Sequence, residues 1–197
     1  MIDTEIPFAN RRDAGRRLAA ALAPLGLADP IILALPRGGV PVAYEIARRL
    51  HAPLDILIAR KIGAPGHEEY GIGAIVDGSA PQLVLDEQAA RASGADTAYI
   101  EREVARQLDE IERRRSAYHV GEPVPLAGRN LILVDDGIAT GGTVRVALKA
   151  LASAGARSVT LAVPVAPASV FSELRKMCDR IVVLAVPEPF FAVGAHY

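Results

Sequence analysis

A single cysteine, Cys178, leaves no partner for an internal disulfide and rules out a multi-cysteine zinc site. No apolar run reaches the roughly eighteen residues of a membrane-spanning helix, and the opening residues read as too acidic and polar for a secretory signal. Net charge is also missing. The 22 Lys and Arg against 23 Asp and Glu leave a formal charge of -1, without the positive excess that captures nucleic acid broadly. Low-complexity tracts are absent, so disorder is not expected. Two nucleotide-binding signatures are lacking. Gly137-Ile138-Ala139-Thr140-Gly141-Gly142-Thr143 has no lysine before its last threonine, as a Walker A loop requires, and it lacks the G-x-G-x-x-G spacing of a dinucleotide fold. These absences predict a cytoplasmic globular protein with neither membrane nor nucleic acid as partner. The 197 residues, 51% of them hydrophobic, suffice for a single α/β domain with a sizeable core, spanning 1-197.

The stretch with the most chemical content is Leu131 to Thr143. Leu131-Ile132-Leu133-Val134 reads as a buried strand of a parallel sheet, covered on both faces. Asp135 and Asp136 close it, a loop of small and hydroxyl residues follows, and a helix begins near Gly142. That order suits a phosphorylated sugar. Loop amides and the positive end of the helix dipole hold a phosphate, and Thr140 and Thr143 add hydroxyl donors. Gly137, Gly141 and Gly142 let the backbone approach the ligand, while the carboxylates accept hydrogen bonds from sugar hydroxyls. The plainer reading is an ordinary strand-to-helix turn, with Thr140 as a helix cap.

A second glycine-rich turn follows the strand Ile31-Ile32-Leu33-Ala34-Leu35, at Pro36-Arg37-Gly38-Gly39. Its amides and Arg37 can bind an anion and so supply the second half of the first site. A further strand, 53-61, delivers Arg60 and Lys61 at its end, and the breaker-rich stretch Ile62 to Gly71 leads into another strand over 72-76.

In these segments the chain resembles the type I phosphoribosyltransferases, and within them a bacterial subgroup with Arg-Lys-Ile-Gly-Ala-Pro-Gly after the second strand. The resemblance implies an open, mainly parallel α/β sheet with helices on both faces, a flexible loop or hairpin, a helical insertion at about 86-118 and a hood at about 186-197. It implies transfer of the 5-phosphoribosyl group of 5-phosphoribosyl-1-pyrophosphate (PRPP) to a nitrogenous base or amine, dependent on Mg2+, within nucleotide metabolism. The alternative is a non-catalytic regulator that senses the same sugar phosphate. Under the resemblance, Ile138, Ala139, Thr140, Gly141, Gly142 and Thr143 hold the 5-phosphate, and Asp135 and Asp136 hold the ribose hydroxyls. Asp135 also reaches the metal through water. Arg37, Gly38 and Gly39 hold pyrophosphate, with a cis peptide placed between Pro36 and Arg37. Arg60 and Lys61 neutralise the leaving group beneath a mobile loop, and Phe190 or Phe191 stacks on the base.

The rest of the chain reads as scaffold. Arg12 to Leu25 is an amphipathic helix, and the arginines Arg11, Arg12, Arg16 and Arg17 read as its solvated face. Gly94 divides the insertion, and its longer helix carries an Ile100-Val104-Leu108-Ile111 stripe suited to packing or to a homodimer contact. The pairs Asp109–Arg113 and Glu110–Arg114 are expected on its outer face. Cys178 reads as a small buried apolar residue.

Overall fold

The computed structural model describes residues 6–78, 80–118 and 121–197, so part of the opening segment read above for its polarity lies outside the described residues. Five short apolar strands form one parallel sheet: β1 (Ile31–Ala34), β2 (Leu54–Ile56), β6 (Asn130–Val134), β7 (Ser158–Val165) and β8 (Arg180–Ala185), in the order β2-β1-β6-β7-β8. Alternation along each strand sends successive side chains to opposite layers. Ile31, Leu33, Leu131 and Leu133 join a core with Val144, Leu148 and Leu151 of α5 (Gly142–Ser153). Ile32, Ala34, Ile132 and Val134 join another with Leu18 of α1 (Arg11–Leu22) and Val42 and Ile46 of α2 (Gly39–Leu50). Both faces are covered, which is why β1 and β6 read as unbroken apolar runs.

The run expected to be one strand over 53-61 is divided. β2 ends at Ile56 in the main sheet, and β3 (Ala59–Ala64) begins a second, antiparallel sheet with β4 (His67–Val76) and β5 (Gln82–Leu85). Leu57 and Ile58 between them are buried in two different clusters, so one hydrophobic run serves two cores. The breaker-rich stretch expected as a loop is mostly a β3–β4 hairpin turning at Pro65-Gly66, with irregular register around Gly63. Gly94, at φ +73°, separates α3 (Glu87–Ala92) from α4 (Thr97–Ala117), whose stripe packs on the small sheet.

Where α4 meets the junction between the sheets, Arg115 donates to Asp77 at 2.7 Å and to Asp55 at 2.9 Å. All three side chains are almost fully buried. The outer face of α4 differs from expectation in one respect: Glu110 pairs with both Arg113 and Arg114, and Asp109 is not Arg113's partner. The i,i+3 geometry serves a bidentate guanidinium as well as i,i+4 does. Cys178 is partly buried, its thiol directed at the Leu174 carbonyl. Among the described residues no helix is long and apolar enough to cross a membrane.

Candidate active site

β1 and β6 are adjacent and parallel, with Ile31 opposite Leu131 and Ala34 opposite Val134. Their carboxyl ends therefore stop at one level, and the turns that follow emerge side by side. In open sheets of this kind ligands bind beyond such strand ends. The Leu35 amide bonds the Val134 carbonyl at 2.8 Å, fastening the first turn to the second. A methyl group on Gly38 would lie 2.3 Å from the Asp136 carboxyl carbon. The two glycine-rich turns therefore touch, and the acidic pair sits at their junction, partly exposed rather than sealed beneath the core.

The Pro36–Arg37 peptide is cis, as the resemblance implied, and Arg37 is exposed. Of the two expected glycine donors only Gly38 offers its amide. Gly39 is the first residue of α2, and its amide bonds the Leu35 carbonyl at 3.1 Å. Gly39 is a packing position, where a Cβ would meet the Val134 carbonyl at 2.7 Å.

In the second turn Ile138 departs from its expected role. Its side chain is buried in the core and its amide bonds the Val165 carbonyl at 2.9 Å, so it anchors the loop from below. Ala139, Thr140, Gly142 and Thr143 lie along the loop and the start of α5, where Thr140, Gly142 and Thr143 face outward. Among the described residues the amides of 139-143 make no backbone hydrogen bond, and Gly141, at φ +79°, starts α5 with no side-chain cap. Orphan amides at a helix N-terminus, flanked by two hydroxyls, form an anion cradle.

The acids are unequal. Asp136 is bound by Arg11, whose Nε and terminal nitrogen both reach Oδ2 at 2.7 Å. Asp135 accepts the Asp136 amide at 2.8 Å. Burial, reinforced by the neighbouring Asp136 charge, pushes its carboxyl above the usual carboxylate range. Arg11 corrects the reading of its arginine cluster as a solvated face: it lies in the site, its guanidinium 4.6 Å from the Tyr197 ring centroid. Tyr197 in turn donates its hydroxyl to the Asp136 carbonyl. No spacing rule in the sequence links residues 11, 136 and 197.

Alternation in β3 separates the two expected cations. Arg60 turns to α4, where it donates to the buried Gln107 at 3.0 Å. Lys61 faces a cleft of about 710 Å³ that Thr143 and Gly142 also line, and it pairs with Glu69 at 3.2 Å. Arg60 is thus turned away from the cleft that Lys61 lines. Arg60→Ala should lose about 1–2 kcal/mol of stability through the unpaired Gln107 and leave any phosphate-dependent activity intact. Lys61→Ala should lower kcat/KM about tenfold with an unchanged melting temperature. Steady-state kinetics beside thermal unfolding separates the two. His67, Glu68 and Glu69 are all exposed on the hairpin.

Phe190 is half-buried against the α1–α2 core, its ring 5.2 Å from His196, whereas Phe191 is 83% exposed. Among the described residues no group of three or more metal-ligating side chains occurs. That donor set still suits magnesium, which keeps several waters and takes one or two carboxylates plus ligand phosphates.

Comparison with known proteins identifies the family. The family model of the phosphoribosyl transferase domain matches residues 9–196. Mycobacterium tuberculosis proteins described as inferred phosphoribosyl transferases are 43% identical over 191 residues, 96% of this chain and 43% of theirs, so the chain spans less than half their length. A Thermus thermophilus protein of known crystal structure is 47% identical with a TM-score of 0.83, over 98% of this chain and 90% of its own. An Aquifex aeolicus protein, 15% identical over 93% of this chain and 78% of its own, shares the fold at a TM-score of 0.54. By the match of nearly its whole length to the family model, and with two glycine-rich turns meeting at an acidic pair, the chain belongs to the phosphoribosyltransferase family.

Proposed function

We propose that the protein transfers the 5-phosphoribosyl group of PRPP to a nitrogenous base or amine and releases pyrophosphate. The observation that carries the proposal is the packing of Gly38 against the Asp136 carboxylate, which supports one ligand spanning both turns. The amides of 139-143, with Thr140 and Thr143, hold the 5-phosphate at the start of α5. Asp135 and Asp136 accept the ribose hydroxyls. Arg37 and the Gly38 amide hold the pyrophosphate, and Lys61 approaches it from the hairpin.

Asp135 would hold a magnesium ion through water beside the diphosphate, and the ion would supply charge neutralisation for the departing group. The acceptor nitrogen forms its bond to the anomeric carbon as the carbon–oxygen bond to pyrophosphate breaks. The bonding pair leaves on the oxygen, and the proton of the acceptor passes to solvent. Positive charge collects on the ribose in between, where the acidic pair opposes it. Phe191, exposed beside the site's tail segment, and Phe190 behind it are the aromatic surface available to a planar base. A homodimer and a cytoplasmic setting complete the reading.

The test is pyrophosphate release from PRPP and magnesium against purines, pyrimidines and small amines. Turnover with at least one acceptor is expected, abolished by Asp135→Asn without loss of fold. Tight PRPP binding with no release for any acceptor would instead identify a sugar-phosphate sensor.

A further inference from the structure

Arg11 enters the site from outside both glycine-rich turns. It sits at the first position of α1 and reaches across to the end of β6. Its guanidinium is fixed on two sides: two nitrogens contact Asp136 Oδ2, and the flat face lies over Tyr197. Tyr197 is itself fixed. Its hydroxyl donates to the Asp136 carbonyl, and its ring rests 5.7 Å from that of Phe8. The Phe8 amide bonds the His196 carbonyl at 2.8 Å, closing the tail against the start of the chain. Asp136 is thereby held through both its carboxylate and its main chain. On its other side stands Gly38, whose missing side chain leaves the carboxylate its only room.

At the rim of the site the Arg11 side chain keeps 39% of its surface exposed. Two adjacent carboxylates would otherwise meet a ligand carrying a phosphate and a diphosphate, and like charges brought together repel. One guanidinium on Oδ2 offsets that repulsion and leaves Oδ1 to accept from a sugar hydroxyl.

We infer that Arg11, supported by Tyr197, is a positioning residue of the sugar-phosphate site, orienting Asp136 and offsetting the charge of the acidic pair when the diphosphate ligand binds. The inference rests on the function proposed above. It concerns α1 and the tail, which the two turns do not require.

Calorimetric titration with PRPP at saturating magnesium tests it, on wild type, Arg11→Met, Arg11→Lys and Tyr197→Phe, with melting temperatures in parallel. Arg11→Met is expected to raise the Kd at least tenfold. Arg11→Lys should recover part of that loss, because lysine keeps the charge but neither forks onto Oδ2 nor stacks as well. Tyr197→Phe should raise the Kd about threefold in the wild-type background and much less in Arg11→Met, since both act through Asp136. An unchanged or tighter Kd in Arg11→Met overturns the inference, as does a shift in melting temperature alone. If Arg11→Met does not fold, Tyr197→Phe decides by the same criterion. Wild-type protein that fails to bind PRPP removes the proposed function itself, a result distinct from wild type and variant binding equally.

Discussion

Gly38→Ala should weaken PRPP binding about a hundredfold while leaving the protein folded. The added methyl would lie 2.3–2.5 Å from the three carboxylate atoms of Asp136, closer than real contacts allow. A free surface carboxylate would rotate away at little cost. This one is held by Arg11 at 2.7 Å and by its own backbone, which Tyr197 fixes from the tail. Something in the site therefore has to move: the acid leaves Arg11, or the turn after β1 lifts from the turn after β6. A displacement of about 1 Å in a positioning group costs about 10²-fold in rate, and the ligand contacts it breaks are lost from binding as well. The measurement is PRPP affinity at saturating magnesium, with circular dichroism to confirm the fold. Gly142→Ala is the control, because a methyl there meets nothing within 4 Å in the free protein. It should leave stability unchanged, so any loss of binding it shows arises from the ligand.

Arg115→Met should have the largest effect on stability, a loss of about 3–5 kcal/mol by chemical denaturation, because it strands two carboxylates in the interior. Asp55 and Asp77 share one guanidinium, so the buried group keeps a negative charge in excess. Burial is the main reason the Asp77 carboxyl is pushed up to about 6, against the lowering influence of Arg115. The sign follows from linkage. A carboxyl whose folded value lies above its unfolded value holds its proton more tightly when folded. Its stabilising contribution is then complete below about pH 3.8 and is lost as pH rises through about 6. Asp77→Asn should flatten that pH dependence, whereas Arg115→Met should steepen it and carry it to higher pH. Melting temperatures from pH 4 to pH 8 would show both.

The apolar strands and the two turns were legible because they are local. A run such as Leu131-Ile132-Leu133-Val134 ending in two acids carries its own meaning, and neighbouring parallel strands bring such ends together. What escaped the sequence depends on contacts between distant segments. Arg11 looked like any arginine on an amphipathic helix, since nothing nearby shows that its partner lies 125 residues away. Arg115 sat in a charged run and emerged as a buried cation holding two acids. The stretch 53-61 misled for another reason: Ile56-Leu57-Ile58-Ala59 is continuously apolar, but the chain changes sheets at Leu57-Ile58. That shift turned Arg60 and Lys61 from a strand-end pair into residues on opposite faces of a hairpin. The amides of Ile138 and Gly39 are taken by the backbone, which residue type alone does not reveal.

The Arg115 cluster ties the hairpin's base to α4. Asp55 precedes the point where the chain leaves the main sheet, Asp77 follows the point where β4 ends, and both are tied to the last turns of α4. Arg60 and Tyr99 tie the same helix to β3 farther along, through Gln107 and the Gly63 carbonyl. A swing of the hairpin toward Thr143 would therefore carry α4 with it as a single lever, with its fulcrum at the guanidinium of Arg115.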